Sequence, residues 1–549
     1  MKKRIPLRGM IVGLCAVILC TSLPLRAQAA YFRDVPINAW YRQAVNSLAD
    51  DGILNGTGNG YYSPQATLTR GAFVTMLARA SLSSSDLAQY TFRGNFRDVS
   101  TRHWANCYVN WASETGVVNG YEDGTFRPDQ AVTRQEAAVM IKNFAKSTGR
   151  QFPKLQSVTQ FRDQSKIASW ALESVRLCQQ SGVLNGDAGT GSFRPSGRAT
   201  RAEAATICYK FLNNCETGSY SILQKRVNNV PVRAVVFSPN RFTAGVALGQ
   251  NMVDGRESVT SLVKRTGATI AVNGAFFNMN NYTPVGTLVH DGRVLTIDNE
   301  KAPAKAALVM APSGEFFVES FATYYYATLS DSSGAISTVR KVGVNKWPSH
   351  AADATRLIMT RDWGKQINFY ARDAIVVNSS GTITAVYHNV SNVDIPQNGY
   401  VLCQRSRRAD EGNFFDSCKV GMTVTLDRQY VDASGQELPF DPVLSVGAGP
   451  RLVKDGKVYG NTSTYRAEGF DDGVTLGNAV RACVGILPDG QLIILNATTN
   501  LPKLSQIMVS LGCTDAINLD GGGSTNLYVD GQWLYGPQSR LLNNMIYFK

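Results

Sequence analysis

Hydrophobic spacing divides the chain into two parts. Up to about residue 212, apolar side chains recur at helical spacing between glycine-rich turns, which predicts paired helices. From about Tyr220, short runs such as Ala234-Val235-Val236-Phe237 and Leu492-Ile493-Ile494-Leu495 alternate with Gly, Asn and Asp turns, and this pattern predicts strands. Helical patches at 258–266 and 503–511 interrupt the strands. The second part is therefore predicted to be a mixed-sheet α+β domain.

Residues 1–29 have the pattern of a secretory signal peptide. Four basic residues precede an uncharged, mostly apolar run at 9–20, and Ala27-Gln28-Ala29 has the form of a cleavage site. The apolar run is shorter than the roughly 20 residues that a membrane-spanning helix needs. We expect an exported protein of the cell wall or cell surface, with no transmembrane segment in the mature chain.

Charge and cysteine content fit this location. The 549-residue chain has a formal net charge of +13, and loss of residues 1–29 removes five basic residues and no acid, which leaves +8. The mature chain has no block of five basic residues, so we expect an anionic wall polymer rather than nucleic acid as the partner. Eight cysteines remain, and both disulfides and buried free thiols are consistent with them. No zinc motif occurs, and neither a metal nor a cofactor is expected.

A threefold repeat fills the first part. Phe32-Arg33-Asp34-Val35 returns at 96–99 and, as Phe-Arg-Asp, at 161–163. Each copy continues with a Trp, a Gly-x-x-Asn-Gly turn, an aromatic-x-Pro step and a Thr-Arg pair that begins a second helix. A Glu three residues after the Thr predicts a capping box at 133–136 and 200–203, whereas Ala72 takes this place in the first repeat and predicts a weaker cap. One helix pair cannot bury its apolar face alone, so three should pack together.

This pattern resembles the S-layer homology domain over about residues 31–212. The resemblance implies an all-α bundle of three repeats, predicted here at 30–90, 91–155 and 156–214, whose grooves bind secondary cell-wall polysaccharide. The binding residues that it indicates are Arg70, Arg134, Arg201, Trp40, Trp104 and Trp170. Arginine can grip a carboxylate through two parallel hydrogen bonds. The alternative is that these side chains stabilise the repeat fold.

Four segments of the second part carry candidate chemistry, at 271–277, 447–453, 481–485 and 516–525. In the last one, a strand delivers Asn518 and Asp520 to three successive glycines, whose N–H groups can face an anion closely. Arg451 and Arg481 are expected to add positive charge for a phosphate, and Asp520 to do acid–base work. The alternatives are a flexible Gly-Gly-Gly-Ser connector and surface salt bridges for the two arginines.

Together these segments resemble the phosphodiester glycosidase family, from about residue 225 to 549, after a linker predicted at 215–224. The stretch 517–525 is the most specific motif, and 342–346 also looks like a strand-loop of the family. The family hydrolyses the bond between a sugar's anomeric carbon and a phosphate, which implies a glycan phosphodiester as substrate. The catalytic residues that the resemblance indicates are Asp520, Arg481 and Asn518. The substrate-binding residues are Asn273, Gly274, Phe277, Gly449, Arg451, Gly521, Gly522, Gly523, Ser524 and Thr525.

The second carboxylate that glycoside hydrolysis usually employs is not fixed by the sequence, and Glu468, Asp471 and Asp472 are candidates. Two positions depart from the family pattern. Asn496-Ala497-Thr498 stands where relatives usually carry Asp-Gly-Arg, and Lys503 stands where they carry Glu. Three hypotheses follow: hydrolysis of a sugar phosphodiester, a non-catalytic glycan-phosphate-binding or structural module, and a glycosidase acting on a phosphate-free exopolysaccharide.

Overall fold

A computed structural model describes residues 32–91, 93–187, 189–297, 305–348, 356–407 and 414–549. The predicted signal peptide lies outside these residues. Within the described ranges, every helix is too short or too polar to cross a membrane.

The first part folds as three helix pairs, one in each predicted repeat. The pairs are α1 (Arg42–Asp50) with α2 (Arg70–Arg79), α4 (Asn106–Glu114) with α5 (Arg134–Thr148), and α6 (Ser169–Gln180) with α7 (Arg201–Asn214). A short helix, α3 (Ser84–Ala88), lies between the first two pairs. All three repeats share one apolar core, in which Phe73, Phe144 and Phe211 are fully buried.

Threonine caps begin the second helix of every repeat. The side chains of Thr133 and Thr200 accept from the backbone N–H of the Glu three residues on, and the Glu side chain accepts from the Thr backbone in return. Thr69 accepts from the backbone of Ala72 at 3.2 Å, but Ala72 has no side-chain acceptor with which to return the bond. The predicted difference between the first repeat and the other two is confirmed.

Short β-bridges connect the repeats just before these capped helices. The paired residues are Thr67 with Thr200, Thr69 with Ala131, and Thr133 with Arg198. Each capping Thr is extended, with ψ between 158° and 164°, so the chain entering the helix can pair with a neighbouring repeat. The expectation of a purely all-α bundle is therefore not confirmed, because the region combines helices with these bridges.

The second part is rich in strands, as predicted, and its described residues form three sheets. The first has the order β1 (Tyr220–Val227), β2 (Val230–Phe237), β19 (Leu492–Thr499), β18 (Ala479–Ile486), β20 (Asp515–Asn518), β16 (Arg451–Lys454) and β17 (Lys457–Val458). The third has the order β22 (Gln532–Tyr535), β21 (Leu527–Val529), β4 (Ile270–Asn273), β23 (Asn544–Phe548) and β3 (Ala244–Leu248).

The second sheet is the largest of the three. Its order is β12 (Ile383–Val390), β11 (Ala371–Val377), β13 (Tyr400–Gln404), β10 (Arg356–Met359), β9 (Gly334–Val344), β8 (Phe316–Asp331), β7 (Ala306–Met310), β15 (Leu444–Gly447), β5 (Leu288–His290) and β6 (Arg293–Thr296), with β14 (Thr423–Asp432) paired to β8. Among the described residues of this part, five α-helices accompany the sheets: α8 (Val259–Thr266), α9 (Phe414–Ser417), α10 (Thr462–Ala467), α11 (Asp472–Leu476) and α12 (Leu501–Ser510). The helical patches predicted at 258–266 and 503–511 correspond to α8 and α12.

Alternation along the central strands gives the first sheet two different faces, because successive side chains of a strand point to opposite sides. Ala482 and Ile517 pack into the apolar cluster shared with the third sheet. Cys483 and Ala516 pack into a second cluster that includes Leu504 of α12. These faces decide which polar side chains can meet at the ends of the strands.

Strand β1 begins inside the predicted linker and contacts the repeats. Arg226 bonds to Glu114 of α4, and Lys225 pairs with Asp86 of α3 at 3.1 Å. The domain boundaries given above stay predictions, but the two parts share a polar interface. The eight cysteines from Cys107 onward are free thiols, so the described chain adopts the second of the two alternatives for them.

Candidate functional site

The glycine loop lies where the first and third sheets meet. The Asp520 N–H donates to the carbonyl of Gly274 at 3.0 Å, and the Asp520 carbonyl accepts from Nδ2 of Asn273 at 2.6 Å. Oδ1 of Asn273 accepts from the backbone of Asn526 at 2.9 Å. Asn273, at the end of β4, therefore holds both ends of the loop in place with its side-chain amide.

The Asp520 carboxylate faces the start of this loop. It accepts from the Gly521 N–H at 2.8 Å. Burial raises the pKa of Asp520 to about 6, opposed by hydrogen bonds from Ser524 and Gly521 and by the charge of Arg540. Gly522 has φ of +60°, a conformation that glycine adopts without strain. The loop therefore has a defined conformation with the Asp520 carboxylate bonded at its start, and its role as an anion-binding turn stays a prediction.

Arg540 is a charged neighbour of this loop that the sequence did not reveal. A Cβ added to Gly523 would lie 2.9 Å from Cζ of Arg540, and Nη1 of Arg540 is 3.4 Å from Oγ of Ser524. The residue is exposed and lies in Pro537-Gln538-Ser539-Arg540, which has no recognisable motif. Only the folding of β22 and the turn after it against the loop brings Arg540 there.

Arg481 is buried beside the same loop, at 5% exposure. Its Nη2 donates to the carbonyls of Val474 and Gly477 at 2.6 and 2.8 Å, and burial lowers its pKa from the ordinary value. A Cβ on Gly521 would lie 3.9 Å from Nη1 of Arg481. Within the described residues no carboxylate pairs with this guanidinium. A desolvated cation facing a glycine loop is suited to an anion.

Arg451 lies elsewhere. Arg451 stands opposite Ile517 in the β16–β20 ladder, so its side chain lies on the face of the first sheet that carries Ile517 and Ala482. Arg481 directly precedes Ala482 in β18, so its side chain lies on the other face. Nη2 of Arg451 donates to Asp515 at 2.6 Å, and Arg451 lines a separate cleft of about 630 Å³. The fold does not bring together the two arginines that were expected to share one phosphate.

Glu468 lies beside Gly449, whose carbonyl is bonded to Asn518. Its carboxylate accepts from the Arg451 N–H at 3.2 and 3.3 Å, and a Cβ on Gly449 would lie 3.1 Å from Oε2 of Glu468. The Gly449 carbonyl accepts from Nδ2 of Asn518 at 3.0 Å, while Oδ1 of Asn518 is buried with no hydrogen-bond partner among the described residues. Burial raises the pKa of Glu468 to about 7.

The other two candidate carboxylates have local partners. Oδ1 of Asp471 accepts from the Val474 N–H at 2.8 Å and so caps α11. Asp472 pairs with Arg466 at the surface. Of the three, only Glu468 is a buried carboxyl group with a raised pKa.

The other positions singled out in the sequence have different surroundings. Thr525 Oγ1 donates to the Val480 carbonyl at 3.3 Å. Half-buried Phe277 forms a bridge with Pro284 beyond the end of β4. Asn496 stands opposite Ala482 and so projects from the face away from Arg481, with Oδ1 buried and unpartnered among the described residues. Lys503 is half-buried in the first turn of α12.

In the repeats, each motif arginine reaches the aromatic-x-Pro turn of the next repeat. Nε of Arg70 donates to Phe126 at 2.9 Å, and Nε of Arg134 donates to Phe193 at 2.8 Å. Nε of Arg201 donates to Tyr62 at 2.7 Å and so closes the ring from the third repeat to the first. The guanidinium also lies over the aromatic ring in each case, at 4.8, 5.3 and 4.5 Å. These arginines therefore stabilise the contacts between repeats.

The motif tryptophans remain at the surface. Trp40, Trp104 and Trp170 are 65%, 55% and 58% exposed. Trp170 lines a cleft of about 310 Å³ together with Arg70, Tyr121 and Glu136. An exposed aromatic ring beside an arginine is a suitable surface for a sugar ring. Across the described part of the chain, no group of His, Cys, Asp and Glu side chains is arranged to hold a metal ion.

Comparisons with known proteins agree with this two-part organisation. The S-layer homology domain model matches residues 31–74, 95–138 and 160–205, and the phosphodiester glycosidase model matches residues 371–549. The phosphodiester glycosidase match begins at residue 371. It therefore covers the C-terminal part of the domain predicted from residue 225, and Asn273 lies before it.

Curated relatives resemble a limited part of the chain. An amylopullulanase of Thermoanaerobacterium thermosulfurigenes is 31% identical over 33% of this chain and 9% of its own length. The surface-layer 125 kDa protein of Lysinibacillus sphaericus is 25% identical over 37% of this chain and 16% of its own length. The chain thus spans less than a fifth of either relative.

A crystal structure of a hypothetical protein from Synechocystis has a TM-score of 0.50 and 21% identity, over 60% of this chain and 61% of that one, which shows similarity of fold alone. The chain therefore combines three S-layer homology domains with a phosphodiester glycosidase domain, and it is a secreted protein of the cell surface.

Proposed function

We propose that the repeats anchor this protein to secondary cell-wall polysaccharide while the C-terminal domain hydrolyses a sugar-1-phosphodiester bond in a glycan or glycopolymer. The observation that carries the enzymatic half is the Asp520 carboxylate, held at the mouth of a glycine loop with Arg481 and Arg540 on either side. A carboxylate beside two cations and free backbone amides combines acid–base capacity with anion binding.

The phosphate of the substrate occupies the loop in this proposal. The amides of Gly522 and Gly523, with Nη1 of Arg481 and the Arg540 guanidinium, stabilise the charge that grows as the bond between C1 and the phosphate oxygen breaks. The leaving group is a phosphate monoester, whose departing oxygen gains negative charge as the bond breaks. The sugar passes through an oxocarbenium-like state, and a water molecule adds to C1.

Two carboxyl groups take different roles. Asp520 in its ionised form assists at C1 and accepts the proton of the incoming water. Glu468, with its pKa raised to about 7, supplies a proton to the departing phosphate oxygen. Asn518 connects the two, because its Nδ2 is bonded to Gly449 and its free Oδ1 is available to a sugar hydroxyl. Arg451 has no direct part in this scheme.

The test is hydrolysis of an aryl phosphodiester of N-acetylglucosamine-1-phosphate, with the products identified by mass spectrometry. Asp520→Asn and Arg481→Ala should each lower kcat by about 10²–10³, as expected when one transition-state contact is removed. Asp489→Asn, which changes an exposed carboxylate of the same domain, is the matched control and should retain full activity. Wild-type rates in both site variants would exclude this site.

The second candidate function is non-catalytic binding of a glycan phosphate. Lys503 favours it, because a cation stands where the family usually carries an acid. Calorimetric binding of the same phosphodiester without any release of sugar over a day would decide for it. Release of sugar from a phosphate-free exopolysaccharide, with no action on the phosphodiester, would decide instead for an ordinary glycosidase.

A further inference from the structure

Exposed apolar side chains lie on three separate loops around the candidate site of the sheet-rich part. Met279 and Val285 belong to the hairpin at 276–285, Leu541 to the segment before β23, and Leu476 is the last residue of α11. Each of the four side chains is between 38% and 55% exposed. Single exposed apolar residues are ordinary on a protein surface, but a group of them around one site marks a contact surface.

The hairpin and Leu541 flank the same short segment. The Arg256 guanidinium lies 3.6 Å from the centroid of the Tyr282 ring, at the tip of the hairpin. The next residue, Glu257, exchanges N–H···O bonds of 3.0 and 2.9 Å with Leu542. The tip of the hairpin and Leu541 therefore lie side by side, and Leu541 directly follows the arginine that flanks the glycine loop.

The base of the hairpin connects to α11. The rings of Phe276 and Phe470 have centroids 5.7 Å apart, and both side chains are half-buried. Helix α11 begins two residues after Phe470 and ends at Leu476, and the carbonyls that hold the Arg481 guanidinium belong to the same turn. We call this set of side chains the apolar rim, and it consists of Phe276, Met279, Val285, Phe470, Leu476 and Leu541.

Charged side chains belong to the site and not to the loops of the rim. Residues 274–289, 473–480 and 541–548 contain no charged side chain, although 18% of the chain is charged. The rim extends from Arg540 on one side of the glycine loop to Arg481 on the other. A ligand that matches both features has a phosphate between the arginines and an uncharged, apolar group beside them.

We propose that the alcohol esterified to the substrate's phosphate is a hydrocarbon chain, alkyl or isoprenoid, which packs on the apolar rim. This inference rests on the proposed hydrolysis and names its substrate class, a glycan whose anomeric phosphate is esterified to a long-chain alcohol. Removal of hydrocarbon from water favours binding in proportion to the area that is covered. The rim is therefore suited to such a chain and not to a second sugar.

The reaction leaves the chain on the phosphate. The bond between C1 and the phosphate oxygen breaks, the oxygen of a water molecule bonds to C1, and Asp520 takes one proton of that water. The departing oxygen receives the proton of Glu468, which is restored from Asp520 through solvent. The products are the free sugar and an alkyl phosphate whose own ester bond is intact, so the chain stays beside the rim throughout.

The test compares two phosphodiesters of N-acetylglucosamine-1-phosphate that differ only in the alcohol, octanol or glycerol, with the octyl diester below its micelle-forming concentration. The wild-type kcat/KM should be at least about tenfold higher for the octyl diester, and mass spectrometry should identify octyl phosphate as a product. Leu476→Ser and Leu541→Ser, at exposed positions that tolerate substitution, should each lower the ratio of the two kcat/KM values about threefold.

Val420→Ser is the matched control, because it makes the same kind of change at an exposed position of the turn before β14 and should leave the ratio unchanged. A geranyl diester distinguishes the source of the chain: a kcat/KM above that of the octyl diester assigns an isoprenoid, and one below it assigns a saturated alkyl chain.

Equal kcat/KM for the octyl and glyceryl diesters in the wild type would overturn this inference alone. A dimer in sedimentation that Leu541→Ser dissociates would assign the rim to a second copy of the chain and also overturn it. Absence of hydrolysis of every diester would overturn the proposed function and this inference with it.

Discussion

Arg226 donates to both carboxylate oxygens of Glu114, at 2.9 and 3.1 Å, across the junction between the repeats and the sheet-rich part. The same guanidinium bonds to the carbonyl of Asn229 at 2.9 Å, and Arg226 is 8% exposed. Two parallel charge-assisted bonds fix orientation as well as distance. The first strand of the sheet-rich part is thereby tied to helix α4 of the second repeat.

Arg226→Gln should loosen this junction. Removing the cation leaves Glu114 partly buried without its main partner, so the free energy of unfolding should fall by about 1–3 kcal/mol. Small-angle X-ray scattering should show a larger radius of gyration as the two parts reorient. Arg233→Gln, at an exposed position of the neighbouring strand, should change neither quantity. An unaltered scattering profile in Arg226→Gln would contradict the role given to the ion pair.

Activity on a sugar phosphodiester should have a bell-shaped pH dependence. Asp520 must be ionised to act, so kcat/KM should rise through its pKa of about 6, and Glu468 must be protonated, so the rate should fall above about 7. The measurement is kcat/KM from pH 4 to pH 9. Glu468→Gln should abolish the alkaline limb and keep the acidic one, and retention of both limbs would remove Glu468 from the mechanism.

Arg540 should tune the acidic limb. Its charge opposes the effect of burial on Asp520, so Arg540→Met should raise the pKa of Asp520 and move the acidic limb to higher pH. Gly523→Ala should act in the same direction, because its Cβ would lie 2.9 Å from Cζ of Arg540 and displace that exposed side chain. The pH profile of kcat/KM checks both. An acidic limb at the wild-type position in both variants would show that Arg540 does not act on Asp520.

Stability should depend on pH through Glu468. Its pKa in the folded chain is about 7, above the ordinary 4.5, so between these values the folded state binds more protons than the unfolded state. Its contribution to the free energy of unfolding therefore decreases as pH rises from about 4.5 to about 7. Chemical unfolding of wild type and Glu468→Gln at several pH values measures this: the difference between them should shift in favour of the variant as pH rises. A pH-independent difference would refute it.

The cysteines should behave as buried thiols. Burial raises the pKa of Cys208 and Cys403 to about 12. Cys107 is only half-buried, so its thiol is more accessible to reagents. Because the thiolate is the reactive form, iodoacetamide should modify Cys107 first in the native protein. After denaturation without reductant, all eight cysteines from Cys107 onward should be alkylated in intact-mass measurements. A pair that reacts only after reduction would reveal a disulfide.

Local patterns predicted most of the secondary structure and the repeats. The capping boxes at Thr133 and Thr200 and the helices α8 and α12 need only residues close in sequence, so their signals are visible without the fold. The threefold recurrence of arginine and tryptophan is equally a property of the sequence. The turn at Asp520 followed because a strand and three glycines are contiguous there.

Contacts between distant segments were beyond the sequence. Arg540 and Arg481 flank one loop although 59 residues separate them in the chain, and no periodicity marks that meeting. Arg451 and Arg481 carry the same side chain in similar contexts, yet the register of β16 and β18 against β20 sends them to opposite faces. Strand register is set by packing across sheets, since a shift of one residue reverses every side chain.

An exported chain with a threefold repeat, a sheet-rich second part and a carboxylate beside a glycine loop can be predicted from the sequence, because each of these features depends on residues that are close together in the chain. Only the packed chain shows that Glu468 is a buried carboxyl group beside Gly449 while Asp471 and Asp472 have local partners. Likewise, only the packed chain shows that Arg201 of the third repeat bonds to Tyr62 and Asn55 of the first. Burial and pairing are properties of the packed chain, and they depend on residues that the sequence keeps far apart.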